Sequence, residues 1–328
     1  MMNKNVQISR RNFTKGVLAS SFGLAASGVS FQATSTEKKS ENGAFTMKFA
    51  PHVNHFKNLA GNNILDQIRY AHDMGFRAWE DNRMPNRFEK EQQAIGDLLA
   101  KLGMEMGVFV AYGDFKNPIF AGNRLDHFDK RSVDKKQVKA MLTKKMEQAV
   151  EISKRCGAKW CTIVPGTIDL TLPVEYQTKN VVENLSYMAE VCEKSGLVMV
   201  LEPLNYQNHP NCFLTRISQA YEICKMVDSA SCKILDDLYH QQITEGNLIQ
   251  NMADAWDEIA YIQIGDVPGR KEPGTGEINY NNIMTWLHKQ GYNGIIGAEH
   301  GIKNKGVDGE KDLIQAYRSI DVTIKTHG

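Results

Sequence analysis

One joint recurs along this chain and constrains its fold more than any other feature. An amphipathic helical stretch closes on Gly, and an apolar run follows directly. The joint reads "DMGFRAWE" at 73–80, "KLGMEMGVFV" at 101–110, "RCGAKWCTIV" at 155–164, "KSGLVMVLE" at 194–202 and "KQGYNGIIGAE" at 289–299. Gly just past a helix adopts the left-handed conformation at no steric cost and ends the helix within a residue or two. Tight helix-to-strand joints of this kind belong to parallel βα units, because parallel strands need a crossover helix between them.

Counting apolar runs predicts eight strands, at about 47–53, 76–81, 105–112, 159–165, 197–203, 232–237, 259–265 and 293–299. Helical stripes lie between them. "ILDQIRYAHDM" places Ile64, Leu65, Ile68, Ala71 and Met74 on one face, and "VKAMLTKKMEQAVEI" does the same with Val138, Met141, Leu142, Met146, Ala149 and Val150. The spacing is broken only between the third and fourth strands, where "GDFKNPIFAGNRLDHFDKRSVDKK" is inserted. Eight βα units in one domain predict a closed (β/α)8 TIM barrel over residues 45–328. An open doubly wound sheet would put a Gly-rich phosphate loop after its first strand, and "APHVNHFKNLAGNN" has the wrong composition for one.

The first 40 residues read differently. Ser9, Arg10, Arg11, Phe13 and Lys15 match a twin-arginine pattern, a small-residue apolar run extends from Gly16 to Phe31, and "STEKKSENG" supplies a polar linker. The expectation is an export signal that carries an already folded barrel to the periplasm. Beyond residue 40 no stretch has the roughly 18 unbroken apolar residues of a membrane span. A net charge of +1, from 39 basic and 38 acidic residues, gives no reason to expect nucleic acid as a partner. The six cysteines show no CxxC or Cys/His spacing and read as small core residues.

Active sites of such barrels form at the C-terminal strand ends. "VMVLEPLN" runs an apolar strand straight into Glu202, whose burial would cost several kcal/mol without a partner. The next three strands end similarly, on Asp237 in "ILDDLYH", Gln263 in "YIQIGD" and Glu299 in "GAEHG". A single acidic residue at a strand exit is usually a helix cap or an ion-pair partner. Four oxygen-bearing side chains on consecutive strands instead predict one divalent cation, and hard oxygen donors suit Mg2+ or Mn2+. Asp236 competes with Asp237 as the ligand, since alternation turns only one of them inward. Such a site could remove a proton beside a carbonyl, with Glu202 and Glu299 facing each other across a small substrate.

"LEPLN", "DDLYH", "IQIGDVPGRKEPGTGEINY" and "GYNGIIGAEHG" resemble the hydroxypyruvate isomerases of the xylose-isomerase-like TIM-barrel superfamily, over most of residues 47–301. The resemblance implies a metal held by Glu202, Asp237, Gln263 and Glu299, with Glu202 and Glu299 as the acid/base pair. It implies substrate contacts from His240 and Arg270 and, in "GFRAWEDNRM" and "FAPHVN", from Glu80 and His52. The implied substrate is hydroxypyruvate or a related small hydroxy-carbonyl compound. An exported ketose or keto-sugar 3-epimerase is the alternative, ahead of an endonuclease-IV-like phosphodiesterase or a non-catalytic sugar-binding barrel. Self-association into a homo-oligomer is compatible with any of these.

Overall fold

The computed structural model describes residues 43–126, 129 and 133–322, so the expected signal and linker lie outside the described residues. Nine short strands occur among them: β1 Lys48–Ala50, β2 Ala78–Trp79, β3 Glu105–Met106, β4 Val110–Gly113, β5 Trp160–Val164, β6 Val198–Leu201, β7 Cys232–Asp237, β8 Ile259–Gln263 and β9 Ile295–Gly297. Seven join in one sheet in the order β1-β9-β8-β7-β6-β5-β4, while β2 and β3 pair with each other. Every ladder between them is parallel. The ring is completed beside β1 by the parallel bridge His52–Glu80, with the Glu80 N–H donating to Pro51 O at 3.0 Å. On the far side of β2, the Gly107 N–H donates to Trp79 O at 2.7 Å. The expected (β/α)8 barrel is therefore present.

One expected strand is divided. Residues 105–112 were to form a single third strand, but pairing changes hands within it: β3 lies on β2, and β4 lies on β5. The break falls at Gly107, where a Cβ would meet Tyr261 Oη at 2.4 Å. The backbone bends around that buried hydroxyl and recovers its partner when the Thr162 N–H reaches Phe109 O at 2.8 Å.

The five joint glycines, Gly75, Gly103, Gly157, Gly196 and Gly291, all have positive φ, from 66° to 100°. Each helix buries one stripe. Helix Ile64–Asp73 opens on Asn63, whose side chain accepts from the Leu65 N–H, and it buries Ile64, Gln67, Ile68 and Ala71. Helix Lys135–Cys156 buries Val138, Leu142, Met146 and Ala149 among others. All six cysteines are buried thiols without disulfides. No helix among the described residues is long and apolar enough to cross a membrane.

Two apolar layers result, one between helices and strands and one inside the ring. The inner cluster comprises Ala50, Ala78, Val108, Val200, Leu235, Tyr261 and Ile295. Side chains alternate along a strand, so the next inward position lies two residues on. Two residues beyond Ala50, Ala78, Val200, Leu235 and Tyr261 stand His52, Glu80, Glu202, Asp237 and Gln263. Four residues beyond Ile295 stands Glu299. The inner core thus sets the parity that turns the expected site residues into the barrel mouth.

The insertion after β4 is tied down by a buried ion pair. Arg124 Nε donates to Asp169 Oδ2 at 2.6 Å, and Asp169 Oδ1 accepts from the Thr171 N–H at 2.8 Å. These bonds hold the Asp169 carboxyl below its ordinary range against the opposing effect of burial. A depressed carboxylate stabilises the fold fully above its unfolded value, and that contribution disappears as pH falls through the folded value. Asp169→Asn should cost on the order of 3 kcal/mol near neutral pH, measured by urea unfolding. The gap from wild type should stay constant from about pH 5 to 8 and close below about pH 4. A pH-independent gap would contradict the ion-pair account.

Candidate active site

Glu202 follows β6 directly, Asp237 ends β7, Gln263 ends β8 and Glu299 lies two residues past β9. Asp237 is fully buried and does two things at once. Its Oδ1 caps helix Leu238–Thr244 by accepting from the Tyr239 N–H at 3.0 Å, while Oδ2 accepts from Arg270 Nη2 at 2.6 Å. Asp236 shares the parity of Ile234, a member of the outer core, and is turned away from this group. Its Oδ1 is buried without a hydrogen-bond partner, and burial with the neighbouring Asp237 charge pushes its carboxyl up to about 8. The structure therefore brings Asp237, not Asp236, to the cluster.

Glu202, Asp237 and His240 each offer a ligand-type atom, all within 4.8 Å of one another. His240 Nε2 lies 3.7 Å from Glu202 Oε1 and 3.6 Å from Asp237 Oδ2. The Asn205 backbone N–H, 3.1 Å away, donates to His240 Nδ1. A neutral imidazole that accepts at Nδ1 carries its proton on Nε2, so His240 turns a donor, not a lone pair, toward the carboxylates. Burial pushes the ring's pKa down to about 4, which keeps it neutral at physiological pH.

The charge balance is lopsided. Glu202, Asp237 and Glu299 face one guanidinium, that of Arg270, which also reaches Glu299 Oε2 at 3.5 Å and lies over the Tyr239 ring. Burial first, then the Glu299 and Asp237 charges, raise the Glu202 carboxyl well above its ordinary range. Burial likewise raises Glu299 to about 7, with Arg270 pulling the other way. Gln263 Oε1 and Glu299 Oε2 are buried with no hydrogen-bond partner. Three carboxylates and an amide oxygen, the latter buried with no hydrogen-bond partner, are a donor set that a divalent hard cation fits.

Glu80, implied at the substrate by the resemblance, lies beside Gln263 in the same inward layer. It is fully buried, and both of its carboxylate oxygens are engaged by Tyr261 and Gln263. His52 is half-buried at the rim, and its Nε2 has no partner. His300 sits behind the site, with Nε2 2.7 Å from Tyr317 Oη and its ring stacked on His55.

Two supporting residues escaped the sequence reading. Asn205 sets the His240 tautomer. Asp266 organises the "DVPGRKEPGTGEI" loop that carries Arg270, accepting from the N–H groups of Val267, Gly274, Gly276 and Ile278 at 2.8–3.1 Å. An Asp leading a Pro/Gly-rich stretch is turn chemistry and was the available signal. Nitrogen-15 spectra of metal-free protein should place the His240 proton on Nε2, with the ring neutral down to about pH 5. A midpoint near 6.5, or a proton on Nδ1, would contradict the Asn205 assignment.

Comparisons with known proteins agree with this architecture. The sequence profile of xylose isomerase-like TIM barrels matches residues 68–320. Hydroxypyruvate isomerase of Escherichia coli K12 is 34% identical over 152 residues, covering 46% of this chain and 59% of that protein. The 2-oxo-tetronate isomerase of Cupriavidus necator is 37% identical over 118 residues, covering 36% of this chain and 45% of that protein. The matched stretch thus spans about half the length of these curated relatives. Among solved structures, an AP endonuclease of family 2 from Brucella melitensis superposes with a TM-score of 0.65 at 22% identity, over 84% of this chain and all of that one, a likeness of fold alone. With the profile matched over most of its length, the chain belongs to the xylose isomerase-like TIM barrel family.

Proposed function

We propose that the protein is a metal-dependent isomerase that moves a carbonyl between adjacent carbons of a small hydroxy-carbonyl substrate by way of an enediolate. The observation that carries this reading is geometric: Glu202, buried, and Glu299, half-buried, flank Asp237 and Gln263 in the barrel mouth. Two carboxyls on either side of a small substrate are placed for one to take a proton and the other to return it. The relatives named above are isomerases of hydroxypyruvate and 2-oxo-tetronate by name, which supports a short hydroxy-keto acid as the substrate. A divalent cation, Mg2+ or Mn2+, held by Glu202, Asp237, Gln263 and Glu299 would polarise the substrate's carbonyl and neighbouring hydroxyl.

The chain's own groups do the rest. One glutamate removes a proton from the hydroxyl-bearing carbon and the other delivers a proton to the former carbonyl carbon, while the hydroxyl proton passes to the former carbonyl oxygen, so no external redox partner is needed. The Nε2–H of His240 donates to the substrate oxygen beside Glu202 and Asp237. The fork of Arg270, whose Nε is buried without a partner, receives a substrate carboxylate. The partnerless Nε2 of His52 serves a further hydroxyl at the rim. A phosphodiesterase would need several His ligands and a basic face for the nucleic acid backbone. Gln263 and the net charge of +1 speak against both.

In D2O with Mn2+, the protein should exchange the α-proton of hydroxypyruvate or a four-carbon homologue and form the isomeric aldehyde from the first or the 3-oxo acid from the second, followed by proton NMR. Glu202→Gln and Glu299→Gln should each lower turnover by about 10²–10⁴. Absence of exchange across a panel of keto acids and keto-sugars would overturn the assignment.

Residues 1–40 are proposed to direct export by the twin-arginine route, on the strength of the Ser9–Lys15 pattern. Replacing Arg10 and Arg11 together by Lys should leave the protein in the cytoplasm on fractionation. Normal export of that double variant would remove the signal.

A further inference from the structure

Beside Gln263 sits a buried carboxyl whose own hydrogen bonds are already made. Glu80 is 0% exposed. Its Oε2 accepts from Tyr261 Oη at 2.8 Å, and its Oε1 accepts from Gln263 Nε2 at 2.9 Å. The surrounding strands are cut away to admit this pair. A Cβ on Gly297 would fall 2.0 Å from Glu80 Oε2, and one on Gly107 would fall 2.4 Å from Tyr261 Oη. Two glycines facing a buried carboxylate and a buried phenol mark a built receptacle in an otherwise apolar ring.

Its consequence is felt at Gln263. An amide has two nearly isosteric ends, and only the oxygen can bind a cation. The Gln263 nitrogen donates to Glu80 at 2.9 Å and its side chain also interacts with the Glu299 carboxyl, which leaves Oε1 buried with no hydrogen-bond partner. We propose that Glu80 is a positioning residue that fixes the amide of Gln263 so that its carbonyl oxygen, not its nitrogen, is presented to a divalent cation. This inference rests on the metal site proposed above.

Mn2+ binding to metal-stripped protein, followed by calorimetry, tests it. Glu80→Leu removes the acceptor and should weaken binding about 10–100-fold, the usual effect of losing a group that orients a metal ligand. Glu80→Gln keeps an oxygen for Gln263 Nε2 and can turn its own NH2 toward Tyr261, so affinity should return to within about threefold of wild type. A general loss of nearby charge or of packing predicts something different, and a double-mutant cycle separates the two. In a Gln263→Ala background, Glu80→Leu should have no further effect on affinity. An equal loss in both backgrounds would overturn the positioning role, as would wild-type affinity in folded Glu80→Leu. If the Leu variant fails to fold, Glu80→Asp decides in the same cycle, because its shortened carboxylate withdraws from Gln263. Unchanged affinity in Glu80→Asp would overturn the role. Wild-type protein that binds no Mn2+ would overturn the metal reading and this inference together.

Discussion

The arrangement turns on electrostatic excess in a place that excludes water. Glu202, Asp237 and Glu299 converge at the C-terminal end of the barrel, and Arg270 is the cation that contacts two of them. Burying like charges together is tolerable only if they are neutralised, by protons or by a cation. Without a cation the protein holds protons, as the raised values of Glu202 and Glu299 indicate. A divalent ion would displace protons from this cluster, leaving one for the glutamate that delivers it to the substrate.

The rest of the barrel serves to hold that excess in place. The apolar inner ring of Ala50, Ala78, Val200, Leu235, Tyr261 and Ile295 sets the side-chain parity, and the mouth residues follow from it by counting. Asn205 fixes which nitrogen of His240 bears hydrogen, and Asp266 shapes the loop that delivers Arg270. Asn205 acts through a hydrogen bond to His240 itself, and Asp266 through the backbone of the loop that carries Arg270.

Much of this was legible in the sequence because it is local. Gly75, Gly103, Gly157, Gly196 and Gly291 announced the helix ends, and the positive φ of each is a property of the joint alone. Glu202, Asp237, Gln263 and Glu299 stood out because a polar side chain at the end of an apolar strand is a local anomaly. What could not be read depends on contacts distant in the chain. Asp236 and Asp237 are equivalent until the Leu235 side chain is known to point inward. The third strand divides because Tyr261, some 150 residues away in sequence, fills the space at Gly107. Glu80 was legible only through the family likeness of "GFRAWEDNRM", because its hydrogen bonds to Tyr261 and Gln263 join residues far apart in the chain. Its burial follows from Gly297, on the neighbouring side of the ring, which leaves the room for it.

Proton release on metal binding tests this electrostatic account most directly. Metal-stripped protein can be titrated with Mn2+ by calorimetry at neutral pH, in two buffers of different ionisation enthalpy. If Glu202 and Glu299 hold protons that a cation displaces, one ion should bind per chain and protons should be released to the buffer. Binding of one ion without proton release, or no binding at all, would contradict the account.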